Sequence, residues 1–229
     1  MERVLVIAPH PDDELLGCGG TLLRHLAEGD AVHWLIVTRM TPETGFDPTA
    51  IEGRERLIET VAEAVGFTGV HRLDLPTTRL DTLPVAGIVS AMAGVVDTVR
   101  PTVVYLPWAE DVHTDHQVAA TAARACTKWF RHPSVSRVLA YETLSETDFV
   151  LPPGRPFTPN YFVDIEPHLA RKLELLTLYQ EELGDFPFPR SPTAVEALAR
   201  VRGAACGCRA AEAFQLLKAV RRRPPTDGQ

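Results

Sequence analysis

The sequence predicts an α/β fold in which a parallel, doubly wound sheet carries helices on both faces. Two observations predict it. Short apolar runs rich in branched and aromatic residues alternate with amphipathic segments through the first two-thirds of the chain. Glycine or an Arg-Pro pair closes several of the amphipathic segments. Strands separated by helices in this way pair in parallel through crossovers, and the helices cover the sheet.

The elements follow in order. VLVIAP (4–9) is a buried first strand, followed by a helix from Leu15 to Glu28 that stops at Gly29-Asp30. AVHWLIVT (31–38) is the second strand. A polar loop with Pro42, Gly45 and Pro48 leads into a helix over 50–65, stopped by Gly66. VHRLDL (70–75) is the third strand, and the helix over 84–99 is closed by Arg100-Pro101. TVVYLPW (102–108) is the fourth strand, with a helix over 115–130 and a fifth strand, RVLAYET (137–143), after it. Beyond Glu142 the pattern loosens through LPPGRPFTPN. It resumes as a strand-like YFVDI (161–165), helices over 167–183 and 192–205, and AEAFQLLKAV, which fits helix and strand equally.

A chain of 229 residues fits one core, and no internal repeat or low-complexity segment divides it. Residues 1–220 are expected to form a single domain, and 221–229, RRRPPTDGQ, a disordered tail. Basic residues number 23 and acidic residues 30, a net charge of −7 without a basic stripe. This argues against a general nucleic-acid binder. No apolar stretch approaches the ~20 residues that span a bilayer, and the first residues lack a signal peptide's apolar core, so no transmembrane anchor is expected. The cysteines are Cys18, Cys126, Cys206 and Cys208. Their spacing matches neither a zinc knuckle nor a thioredoxin-type pair, and reduced thiols in a cytoplasmic protein are expected. A homo-oligomer is left open.

The first strand ends in APHPDDE (8–14), which places a histidine and three carboxylates at the tip of a core segment. Adjacent carboxylates repel and raise one another's pKa values unless something positive is present. The fourth strand ends in a similar cluster, Pro107-Trp108-Ala109-Glu110-Asp111-Val112-His113-Thr114-Asp115-His116. In open parallel sheets ligands bind outside the carboxyl ends of the strands, where strand order reverses, and strands 1 and 4 flank that point. The two clusters should therefore share one crevice. Histidine and carboxylate ligands with a position left for water suit a catalytic zinc ion. His10, Asp13 and His116 are the expected ligands, and a bound dication would neutralise the acidic cluster. Asp12 is placed to take a proton from water. His113 would polarise a carbonyl or protonate a leaving group, with Asp115 orienting its ring. Trp108 falls in the crevice, as a sugar-stacking ring or a wall residue. Asp111 either shapes the pocket as a substrate contact or caps the loop. Glu14 either supports the site or caps the helix. His25, His33, His71, His132 and His168 have no ligand-type partner at useful spacing.

"HPDDE", with Gly17 and Gly19-Gly20 after it, and the later "HTDH" resemble the motifs of the PIG-L/LmbE-like de-N-acetylases. That resemblance implies a Rossmann-like fold and a zinc enzyme that removes acetyl groups from N-acetylated sugars. It implies His10, Asp13 and His116 as zinc ligands, Asp12 as general base, His113 as the electrophilic or acidic histidine and Asp115 in the orienting position. Arg54 matches the family's substrate-contacting arginine. VDIEPHLARKLELLTLYQEEL and RGAACGCRAAEAF also look like family segments, so the resemblance spans nearly the whole chain. One departure lies after strand 3. Relatives carry an aspartate there for a sugar hydroxyl, whereas this chain has Thr77 and Thr78, with Asp81 further on. The wording YETLSETDF and FPFPRS is similar to members sited among bacterial surface-glycan genes.

Other readings remain open. The same ligands serve an esterase or phosphoesterase, and a Rossmann-like module can bind a ligand without chemistry. Two histidines and a carboxylate also suit iron and other divalent transition metals. Gly17-Cys18-Gly19-Gly20 lacks the spacing of a dinucleotide fingerprint, and its glycines are read as close helix–sheet packing.

Overall fold

At the centre of the sheet, β1 (Arg3–Ala8) pairs in parallel with β2 (Ala31–Arg39) on one side and β4 (Val103–Pro107) on the other. β3 (Gly69–Pro76) extends one flank, and β5 (Arg137–Tyr141) the other, both in parallel. The computed structural model describes residues 1–151 and 154–221, and the predicted tail beyond Arg221 lies outside them. Two further strands complete a seven-stranded sheet of order β3-β2-β1-β4-β5-β7-β6. They are β6 (Tyr161–Asp164) and β7 (Ala211–Ala219), and β7 runs antiparallel to both β5 and β6. The ambiguous AEAFQLLKAV is thus a strand: it fills the slot between β5 and β6, where neighbours on both sides satisfy its backbone.

Side chains on alternate positions of the strands face opposite layers. Val4, Val6, Trp34, Tyr105 and Phe214 pack under α1 (Asp13–Ala27), α2 (Pro48–Val65), α5 (Leu169–Leu176) and α6 (Pro192–Cys206). Leu5, Ile7, Leu35 and Val104 pack under α3 (Val85–Val99) and α4 (Thr114–Ala125). Capping explains several boundaries. Asp47 and Ser191 accept the amides of Ala50 and Ala194 at 3.0 and 3.2 Å, each followed by a proline at the first helical position. No helix among the described residues is long and apolar enough to cross a membrane.

Two helices differ from expectation. α4 stops at Ala125 rather than 130, and tight turns take over: the amides of Thr127 and Arg131 donate to the carbonyls of Arg124 and Lys128. The expected helix over 167–183 is α-helical only to Leu176, then tightens into 3₁₀ turns over Thr177–Glu182 with Tyr179 at ψ 47°. Tyr179 is buried there, and its hydroxyl donates to Glu14 Oε1 at 2.7 Å.

The glycines of α1 permit close approach. A Cβ at Gly17 would lie 2.3 Å from the Tyr141 ring, and one at Gly20 2.8 Å from Ile165. A buried ion pair holds the same helix. Lys172 of α5 donates to Glu212 of β7 at 2.7 Å and to the carbonyl of Leu16 at 2.8 Å. Glu212 accepts the amides of Gly20 (2.9 Å) and Thr21 (2.7 Å). Removing one partner of such a pair leaves an uncompensated buried charge. Lys172→Met is expected to lower stability by about 3–5 kcal/mol, read from urea unfolding. An unchanged midpoint would contradict the role given to this pair.

Candidate metal centre

The chain leaves β1 through Pro9 and turns into α1 at Asp13, and two interactions shape the turn. The His10 amide donates to Asp13 Oδ2 at 2.9 Å, and the Asp12 amide donates to Glu14 Oε2 at 3.0 Å. Asp12 is forced to φ 140°, a conformation side chains avoid and folds keep mainly at functional positions. The second cluster forms where β4 leads into α4. His113 caps α4, its Nδ1 accepting the Asp115 amide at 3.1 Å. His116, one helical turn in, is buried and donates from Nδ1 to Asp111 Oδ2 at 2.9 Å, which leaves Nε2 facing Asp13 Oδ1 at 3.3 Å.

Two imidazole nitrogens and a carboxylate oxygen, from His10, His116 and Asp13, lie within 4.8 Å of one another. That number and type of donors suits a catalytic dication with a position left for water. The Asp111 carboxylate on the far nitrogen of His116 is the outer partner such a ligand needs. The residues present therefore fit a divalent transition metal. His10, His113 and Asp115 form a second close group, but its donors are already engaged. Asp115 accepts the amides of Thr78 (2.7 Å) and Leu80 (3.0 Å), and His113 Nδ1 accepts an amide.

Electrostatics of the site follow from burial and pairing. Burial lowers His10, but hydrogen bonds to Asp115 and Asp13 outweigh it and raise its pKa to about 9. His116 is likewise lowered by burial, then lifted to about 10 by the Asp13 charge and by Asp111. Burial pushes Asp13 up, while His116 and His10 hold it well below the usual carboxylate range. Asp12 is raised to about 7 by burial and the Asp13 charge, against the pull of Arg190 at 2.9 Å. Burial also lifts Glu14 to about 8, opposed by the Tyr179 hydrogen bond. His113 is lowered to about 4 by burial and the charges on His10 and His116, so it is neutral at pH 7. With Nδ1 accepting an amide, its proton sits on Nε2.

Four expectations are corrected. The Asp115 carboxylate does not orient His113. It bonds the backbone of 78–80 and His10 Nε2 at 3.0 Å, and the Asp115 backbone amide orients His113 instead. Asp111 is fully buried, bonded by His116 and by the Thr147 hydroxyl at 2.6 Å, so it backs His116 rather than reaching the cavity as a substrate contact. Trp108 is 9% exposed, packs edge-on against Phe157, and is absent from the cavity wall. Four of the other histidines have partners after all: His25 has Asp30 at 2.8 Å and the Tyr105 hydroxyl at 3.0 Å, His132 has Asp97 at 3.0 Å, and His33 and His71 meet at 3.2 Å.

A cavity of about 330 Å³ opens over the centre and runs across the ends of β2 and β3. His10, Asp12, Asp13 and His113 form its polar end, while Ile36, Met40, Phe46, Ile51 and Ile58 give it an apolar wall. Arg54 lines it, donating to the Pro11 carbonyl at 3.3 Å and pairing with Glu182. After β3, Thr77 and Thr78 reach the cavity; Asp81 does not, and Asp74, within β3 itself, does. Sequence reasoning missed Arg190. It lines the cavity and bonds Asp12, Ser145 (2.8 Å), Glu146 and Glu182. No spacing signal marks it, because it arrives from a loop more than a hundred residues distant in sequence.

Protons occupy His10 and His116 at pH 7 because their folded pKa values lie above it, and a ligating imidazole must give its proton up. Metal uptake is therefore expected to release about two protons at pH 7 and to tighten as pH rises toward 9–10. Calorimetry in buffers of different ionisation enthalpy measures this, and uptake with no proton release would contradict the ligand set.

The GlcNAc-PI de-N-acetylase model, PIG-L, matches residues 5–127, which include both clusters. The chain is 25% identical over 231 residues to the diacetylchitobiose deacetylase of Thermococcus kodakarensis, covering 96% of this chain and 85% of that protein. The crystal structure of the conserved protein TT1542 from Thermus thermophilus matches at TM-score 0.77 and 28% identity, with 100% of both chains covered. GalB, the 4-carboxy-2-hydroxymuconate hydratase of Pseudomonas putida, matches at TM-score 0.74 and 17% identity over 99% of this chain and 100% of its own, a likeness of fold alone. The family match takes in more than half of the chain, from the first core strand through the whole of α4 and with it His10, Asp13 and His116; the chain belongs to the PIG-L family of GlcNAc-PI de-N-acetylases.

Proposed function

We propose that the chain is a zinc-dependent amidase that removes the acetyl group from an N-acetylated sugar or sugar conjugate, releasing acetate and a free amine. The observation that carries this reading is the close group of His10, Asp13 and His116, with His10 and Asp13 opening beside Asp12 and His113 onto one cavity, in a chain of this family. A metal held by those three residues supplies Lewis acidity, which lowers the pKa of water and polarises the acetamide carbonyl.

The chain's own residues do the rest. Arg190 occupies Asp12 Oδ2, which leaves Oδ1 to receive a proton from the attacking water. The raised pKa of Asp12, about 7, suits a group that takes a proton and then returns it. Neutral His113 donates Nε2–H to the carbonyl oxygen as negative charge builds there. This assigns His113 as an electrophile rather than an acid, so the proton reaching the departing nitrogen comes from Asp12. The apolar wall excludes water beside the reacting amide. Arg54, Asp74 and Thr78 are polar groups available to sugar hydroxyls. Four free cysteines support a reducing, cytoplasmic location.

Purified protein loaded with zinc is expected to release primary amine from N-acetyl sugars or their conjugates, and a chelator should stop the release. Bound metal with ester hydrolysis or alkene hydration in place of amine release would overturn the reading. Asp12→Asn is expected to keep stoichiometric metal and lose about 10²–10⁴-fold in kcat. Full turnover in that variant would remove Asp12 as the base.

A further inference from the structure

Trp129 and Phe130 are 69% and 63% exposed, and their rings meet edge to face at 6.0 Å. They stand in the turns between α4 and β5. That is the amino end of the parallel strands, opposite the cavity. Two large aromatic side chains presented together to water mark an interaction surface rather than ordinary scattered exposure.

The stretches of chain that carry them and lie beside them hold basic residues and no acidic ones. Lys128 and Arg131 flank them and are exposed, as is Arg124 in the last turn of α4. The end of β7 is tied to the same turns. Lys218 Nζ donates to the carbonyls of Thr127 (2.8 Å) and Val135 (2.9 Å), and the Val220 amide donates to Ser136 at 2.8 Å. Exposed Val220 and Arg221 are thereby held alongside, and the sequence continues with Arg222 and Arg223. No acidic residue occurs between Asp115 and Glu142, or between Glu212 and Asp227. These two stretches hold eight of the 23 basic residues, which leaves 15 against all 30 acidic residues in the rest of the chain. Of the neighbouring carboxylates, Asp97 is bonded to His132 and Glu2 to Arg137. A chain of net charge −7 therefore has a basic, aromatic end.

We propose that this end is a peripheral binding surface for an anionic phospholipid bilayer, with Trp129 and Phe130 entering the interfacial layer and Lys128, Arg131 and Arg221 facing the headgroups. Amphipathic aromatic rings favour the headgroup level, and each basic side chain near an anionic leaflet adds about fivefold in affinity. A nucleic acid fits less well, because it wants successive stacking platforms along a basic track. A two-fold contact with a second copy would bring the patch against itself, like charge to like. Bound in this way, the chain turns its catalytic cavity away from the bilayer.

The test is co-sedimentation of the full chain with phosphatidylglycerol–phosphatidylcholine vesicles and with phosphatidylcholine alone. Trp34 and Trp108 are buried, so a blue shift of tryptophan emission on binding reports Trp129. Binding is expected only to the anionic vesicles, weakening as salt is added. Lys128→Gln/Arg131→Gln should weaken it roughly 25-fold. Trp129→Ser/Phe130→Ser should abolish both sedimentation and shift while circular dichroism and amine release stay unchanged. The proposal is overturned if wild type stays in the supernatant, or if both double variants bind as wild type does. It is also overturned if the aromatic variant turns an oligomer into a monomer by light scattering, or if the patch binds duplex DNA and not the vesicles.

Discussion

Compensation of buried carboxylates at the tips of β1 and β4 is the constraint on which the catalytic end depends. Asp12, Asp13, Glu14, Asp111 and Asp115 are all buried within the two turns that follow these strands. Ionised groups out of water are costly unless paired, and each of these has its own solution. Asp13 has His10 and His116, Asp111 has His116 and Thr147, and Asp115 has two backbone amides and His10. Asp12 has Arg190, and Glu14 has Tyr179 and a backbone amide. The pairing spreads the carboxylates over a wide range of proton affinity, with Asp13 far below the usual range and Asp12 and Glu14 far above it. One residue is thus held as an anion, while its neighbour has a proton affinity near neutrality.

The scaffold serves this arrangement by fixing α1. Its first residue is Asp13, so any drift of the helix would move Asp13 away from His10 and His116. Gly17 and Gly20 bring the helix down onto Tyr141 and Ile165, and the Lys172–Glu212 pair bonds its backbone at three points. The Tyr141 hydroxyl donates to the Ile7 carbonyl at 2.8 Å, which ties β5 to the end of β1. The C-terminal third therefore completes the sheet and holds the helix that carries the site. It also supplies Arg190 to Asp12 and Tyr179 to Glu14, so the match over residues 5–127 contains His10, Asp13 and His116 but not all of the groups that support the cluster.

Charge is divided between the two ends of the molecule. The carboxyl ends of the strands gather carboxylates around histidines and arginines, while the amino end near Trp129 is basic. One end suits a cation and a small polar substrate, and the other an anionic surface. The parallel sheet makes this division possible, because it sends the loops after its strands to one end and the loops before them to the other.

Much of this was readable from the chain alone. The apolar runs 4–8 and 103–107 read as strands from their shortness, their branched and aromatic residues and the prolines that bound them, and they are strands. The motif HPDDE after one and HTDH after the other placed both clusters at one crevice once the strands were known to be parallel. Asp12, Asp13, His10, His113 and His116 follow from that inference and do meet. What tertiary structure decided is whatever depends on contacts between distant segments. The strand state of 211–219 is decided by its slot between β5 and β6. Asp115 faces the loop after β3 because free amides wait there, and Asp111 turns inward because His116 needs an acceptor. Arg190 reaches Asp12 across most of the length of the chain. Local sequence determines where a strand or helix starts and which residues stand at its tip. Which partner each buried charge finds is decided only when the chain is folded, because the energy of that pairing depends on distances in space rather than on spacing along the backbone.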